Sequence, residues 1–169
     1  MNKRTLLIVS IACAISLIGG SSVLAKSNQN RNTGEQHRDR TAKVVQELIK
    51  VSDKDKQIRQ EIKNVAEEEK TESEMVKQKM DKVEKRNKLK SFLIGSDYKN
   101  LGELKSELMT TQNRLNRLHK SLEKTTSTTI KADLETQISE LEAIKTKAES
   151  FVKDNESKFS LSGWLVKMF

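Results

Sequence analysis

Proline is absent from this 169-residue chain, cysteine occurs once, at Cys13, and glycine occurs only at positions 19, 20, 34, 95, 102 and 163. Without proline nothing sterically stops a helix, and with so little glycine long helices are permitted almost everywhere. The single cysteine excludes an internal disulfide framework, and if the first 25 residues are removed it also leaves no thiol nucleophile or thiolate metal ligand. Aromatic residues make up 4% of the chain: one Trp, one Tyr and four Phe. Only 34% is hydrophobic against 33% charged, too little apolar surface for a thick core.

What apolar surface there is recurs as Leu, Ile, Val and Met at regular intervals. Val44, Leu48, Val51, Asp55, Ile58, Ile62, Val65, Glu69, Glu72, Val76, Met80 and Val83 follow steps of four and three, with one slip at Met80. This is a heptad seam, broken by the polar residues Asp55, Glu69 and Glu72. Leu101, Leu104, Leu108, Thr111, Leu115, Leu118 and Leu122 resume it. After the tract Lys124 to Thr129, Leu134, Ile138, Leu141, Ile144, Ala148, Phe151 and Val152 restart a similar stripe.

The expected fold is therefore all-α, a long antiparallel coiled-coil hairpin over residues 38–157 with its turn near 95–96. Gly95 is the residue most tolerant of a left-handed helix end, Ser96 is the expected N-cap of the second arm, and Asp97 suits its first turn. If the Thr/Ser tract bends, three helices result instead; arms of nearly equal length favour the hairpin. A turn at Gly95 would set Val83 near Leu108, Val65 near Thr125 and Val51 near Leu141. Glu69 and Glu72 would then need Lys120, Lys124 or a second copy of the chain to neutralise them.

Residues 1–25 have the layout of a secretory signal peptide: Lys3 and Arg4, an apolar run from Leu6 to Ile18, then small residues before Ala25. The run would rise about 20 Å as a helix, short of the roughly 30 Å hydrocarbon core. The expectation is export to the periplasm or the extracellular space, with an uncleaved membrane anchor as the alternative. Residues 26–37 read as a flexible polar leader. The formal charge of +8 is spread among 24 acidic residues, which implies modest attraction to anionic surfaces rather than a nucleic-acid interface.

No pattern points to catalysis, a metal, a cofactor or a small-molecule substrate. His37 and His119 stand far apart and read as solvent histidines. Glu67, Glu68, Glu69, Glu72 and Glu74, interleaved with Lys63, Lys70 and Lys77, read as a solvated, salt-bridged face. Two segments are unusual. Phe92, Leu93 and Ile94, followed by Tyr98, fall at the expected hairpin tip and read either as a plug closing the turn or as a docking tip. Residues 158–169, with Phe159, Leu161, Trp164, Leu165 and Phe169, read either as a flap on the bundle or as an interfacial segment at a membrane surface.

The runs Ser91 to Leu101 and Asp154 to Leu161, with Gly163 to Lys167 after them, resemble a group of bacterial exported coiled-coil proteins to which no activity is attached. The resemblance implies a helical exported protein, transfers no functional residues, and makes the tip and the C-terminal segment the choice for any interaction surface; a protein partner or self-association is the expected mode of action. The function expected is thus structural or scaffolding work in the cell envelope, with peripheral membrane binding through the C-terminal segment and basic leader as the alternative.

Overall fold

A computed structural model describes residues 32–86 and 95–157. Four helices form among the described residues: α1 (Thr33–Lys54), α2 (Arg59–Lys85), α3 (Tyr98–Lys124) and α4 (Thr128–Glu156). Each packs on two neighbours in a closed ring, α1 on α2, α2 on α3, α3 on α4 and α4 on α1. Cross-helix pairs give the directions. Thr33 N–H donates to Glu84 at 3.2 Å, Glu72 accepts from Thr110 and Thr111, His119 lies 3.6 Å from Glu142, and Arg40 bonds Glu140. Neighbours are antiparallel throughout, an up-down-up-down four-helix bundle.

The all-α expectation holds, but the chain turns at two further places. The expected first arm is interrupted at Asp55, whose carboxylate accepts the Gln57 N–H at 2.8 Å and so offers the backbone a turn in place of helix. Arg59 then covers the exposed end of α1, bonding the carbonyls of Asp53 and Ser52 at 2.9 and 3.4 Å. The second arm bends at Thr125, whose backbone is extended, and Ser127 caps α4 by accepting from Ile130 N–H at 3.4 Å.

Helix also begins earlier than residue 38. Asn32 is the N-cap, accepting the Glu35 N–H at 2.8 Å, so the last part of the expected leader belongs to α1. Gly34 makes this possible: a Cβ there would lie 2.8 Å from the Lys77 carbonyl oxygen and 2.5 Å from Asp81 Oδ1, so only glycine lets α1 lie this close to α2.

Gly95 has φ of 95°, the left-handed conformation expected of it. Ser96, however, is not the cap of α3. Asp97 takes that place and accepts from Asn100, while Ser96 Oγ donates to the Asn155 carbonyl at 2.7 Å and ties the start of α3 to the end of α4. Since α2 ends at Lys85 and α3 starts at Tyr98, pairing is displaced by about two helical turns from the expected register. Thr110 and Thr111, rather than the residues near His119, lie opposite Glu72.

Candidate interaction pole and the buried charged belt

Every member of the expected seams from Val44 to Val83 is buried except Asp55, which sits at the first turn. Two apolar clusters result. One joins Val44, Leu48, Ile58, Ile62, Leu115, Leu118, Leu134 and Ile138 toward the 55–58 and 125–127 loops. The other joins Val76, Met80, Val83, Leu101, Leu104, Leu108 and Val152 toward the opposite end.

Between them on α2 and α3 lies a belt of buried charge. Arg114, Glu69 and Glu72 are 6%, 4% and 5% exposed, so none can rely on water for its charge. Arg114 bonds Glu69 at 2.5 Å through Nε and pairs with Glu72 through Nη2, while the hydroxyls of Thr110 and Thr111 donate to Glu72 at 3.0 and 3.1 Å. Burial pushes the Glu69 carboxyl above its usual range, against the pull of Arg114, and Glu107 is raised by burial and by the Glu72 charge. The cation expected from Lys120, Lys124 or a second copy is thus Arg114 of the same chain. An open groove lined by Glu67, Glu68, Thr71, Met75 and Arg114 runs past the belt, but it is a surface channel rather than an enclosed site.

His119 is half exposed beside Glu142, as expected of a solvent histidine. His37 departs from that expectation. It lines a small pit with Thr33, Arg40, Met80, Ile144 and Lys147, and burial, assisted by the Arg40 charge, lowers its pKa to about 4. Among the described residues no group of His, Cys, Asp and Glu is arranged to hold a metal ion. No helix among them is long and apolar enough to cross a membrane.

Of the interaction residues expected from sequence, Tyr98 is described and is 64% exposed at the start of α3. Phe92, Leu93, Ile94, Phe159, Leu161, Trp164, Leu165 and Phe169 lie outside the described residues, as does the expected signal segment. The topology nonetheless places their points of attachment. The start of α1, the end of α2, the start of α3 and the end of α4 share one pole, so the 87–94 connection and the 158–169 segment both leave from it.

Charge follows the same polarity. In the half of the bundle next to this pole (33–43, 75–86, 95–107 and 145–157), basic residues outnumber acidic ones by three; in the other half (44–74 and 108–144) acidic residues lead by three. The chain outside the described residues holds eight Lys and Arg and no Asp or Glu. Asp81, Asp97, Glu103 and Glu156 at the pole are paired with Lys77, Arg86, Lys79 and Lys105. Lys82, Lys85, Lys99 and Lys153 are exposed, and the Glu103 carboxylate feels the charges of Lys99 and Lys82 as well as that of Lys79.

Arg114, Gly34 and Asn32 are the residues that sequence reasoning missed, and Ser96 holds a different role from the expected one. Arg114 had a readable signal, because two carboxylates on an apolar seam demand a buried cation and an arginine beside the α3 stripe can supply it. The others depend on which helices meet. Comparison with protein-family models, with curated proteins and with solved structures finds no match to this chain.

Proposed function

We propose that the protein is an exported, non-catalytic docking module of the cell envelope: a helical bundle that presents adhesive chain segments from one of its poles. One observation carries the reading. The 87–94 and 158–169 segments, which hold Phe92, Leu93, Ile94 and the Phe159 to Phe169 residues, attach at the same end as the exposed Tyr98. Contiguous apolar surface beyond what a thin core needs marks an interaction site, and collecting it at one end lets the segments act together. Export rests on the layout of residues 1–25, and the absence of chemistry rests on belt carboxylates that are consumed by Arg114 and two threonines rather than turned toward a cavity.

The test is fractionation of cells expressing the full chain or the chain lacking residues 159–169. The truncated protein should still cross the cytoplasmic membrane and should move from the envelope fraction to the soluble exported fraction. An unchanged distribution would show that this end docks nothing, and retention of both forms in the cytoplasm would overturn export.

A further inference from the structure

We infer that the pit between α1, α2 and α4 binds a small monocarboxylate of about two to four carbons, its charged end toward Arg40 and Lys147 and its alkyl end on Met80, Ile144 and Ala148. This site goes beyond the docking reading and uses none of the segments on which that reading rests. The size of the pit sets the first limit. It measures about 40 Å³, and a water-sized group needs roughly 10–15 Å³, so about three such groups fit. Acetate, propionate and butyrate are of that size, whereas a long acyl chain or a nucleotide would stand outside.

The lining sets the chemistry. Met80 from α2 and Ile144 and Ala148 from α4 are buried and give the pit an apolar floor. Arg40 from α1 and Lys147 from α4 add two cations to the lining, which includes no carboxylate. Two acids bond lining residues from outside it: Glu140 accepts from Arg40 Nη2 at 3.1 Å, and Glu84 accepts the Thr33 N–H at 3.2 Å. With Glu140 set against Arg40, the charge of Lys147 is left over, and this exposed side chain joins no ion pair or hydrogen bond among the described residues. Arg40 also keeps a donor in reserve. Its Nη1 is shielded from solvent and makes no hydrogen bond, which is costly for a buried donor. A carboxylate in the pit that draws the guanidinium over gives Nη1 a charge-assisted acceptor. His37 adds a donor and an acceptor without a competing charge, because burial and the Arg40 charge keep its imidazole neutral at pH 7. A neutral solute would gain the floor and not the cations; an inorganic anion would gain the cations and not the floor.

The chain has two histidines, so one serves as reporter and the other as its control. The full-length protein is titrated at pH 7 with sodium propionate, and separately with propionamide, against sodium chloride that holds the ionic strength constant. The imidazole carbon–proton signals are followed by NMR and assigned with His119→Gln. Propionate should shift the His37 signal along a curve that saturates, while His119, half exposed beside Glu142, stays in place. Propionamide should move neither. Octanoate should bind no more tightly than propionate, because its further carbons lie outside the pit. Lys147→Gln, and Arg40→Gln, which gives up the ion pair with Glu140, should keep the parent circular dichroism and each weaken propionate binding by about threefold or more. Should Arg40→Gln unfold, Lys147→Gln decides alone. A His37 shift that rises without saturating, one matched by propionamide or by His119, or an affinity unaltered by the variants would overturn the site, and tighter binding of octanoate would overturn its size limit.

Discussion

The two ends of the bundle are closed by different chemistry. At the 55–58 and 125–127 loops the closure is polar and joins the two loops: Thr125 Oγ1 donates to Asp55 at 2.7 Å, Arg59 covers the end of α1, and Lys54 and Lys63 pair with Asp133 and Asp53. At the other end the closure depends on close approach and on long-range ties, with Gly34 against Lys77 and Ser96 bonded to Asn155. The half next to the loop end holds three more acidic than basic residues, whereas the half next to the chain-end pole holds three more basic than acidic ones and the attachment points of the 87–94 and 158–169 segments. The charged belt between the clusters ties α2 to α3 at the register on which both ends depend.

The largest expected effect breaks that belt. Arg114→Leu leaves two buried carboxylates without their cation and should cost about 3–5 kcal/mol in a urea unfolding experiment. Replacing all three as Glu69→Leu, Glu72→Met and Arg114→Leu should restore stability to the parent value or exceed it by about 1–4 kcal/mol, because the belt then buries no charge. A triple variant as unstable as the single one would show that the belt contributes packing rather than charge compensation.

Two glycines sharpen the contrast between required and incidental positions. Gly34→Ala drives a methyl group into the Lys77 backbone and should destabilise the bundle by about 1–3 kcal/mol. Gly102→Ala meets nothing within 4 Å on an exposed face of α3 and should stabilise it by about 0.5–1 kcal/mol. Equal effects at the two sites would refute the close α1–α2 approach.

The pH dependence separates the pole from the belt. His37 is half-buried with a folded pKa of about 4 against an ordinary 6.5. Between these values the unfolded chain binds a proton that the folded chain does not, so this contribution is complete above about pH 6.5 and is lost as pH falls toward 4. The slope is at most about 1.4 kcal/mol per pH unit, less what solvent screening removes. Glu69 acts with the opposite sign: its raised folded pKa means the folded chain keeps a proton above 4.5 that the unfolded chain loses, so its contribution declines as pH rises through that window. His37→Gln should flatten the acid-side loss, seen as urea midpoints measured from pH 4 to 7, and leave the Glu69 slope in place. The smallest effect belongs to the loop end, where the hydrogen bonds from Thr125 and Gln57 hold the Asp55 carboxyl below its ordinary value. Thr125→Val removes one of these bonds, so its small cost should be complete above the ordinary value of 3.8 and fade as pH falls below it, leaving the variant slightly less acid-sensitive than the parent.

The buried face of each helix was legible in the sequence, and the connectivity was not. The reason is visible at Asp55. Val51, Asp55, Ile58 and Ile62 keep the four-three spacing straight through the turn, and Ile58 itself has near-helical backbone angles and accepts the Ile62 N–H at 3.0 Å. A periodicity that survives a reversal of direction cannot announce it, so one long arm and two short helices read alike. The Thr/Ser tract carried a weaker version of the same ambiguity, because Ile130, Leu134 and Ile138 stay in phase beyond it. Register followed from where the helices end, and the partner of Glu69 followed from register. Gly95 was readable because its signal is local, whereas Gly34 needed knowledge of the helix across from it.

The central claim is that α1 folds back on α2, which brings the start of the bundle to the end of α2 and creates the shared pole. Spin labels at Gln36→Cys and Lys85→Cys, with Cys13→Ala, test it by double electron–electron resonance. The bundle predicts a separation below about 25 Å, since Thr33 already bonds Glu84. An uninterrupted arm would hold the labels about 74 Å apart at 1.5 Å per residue, and a distribution lying at that length would contradict the account.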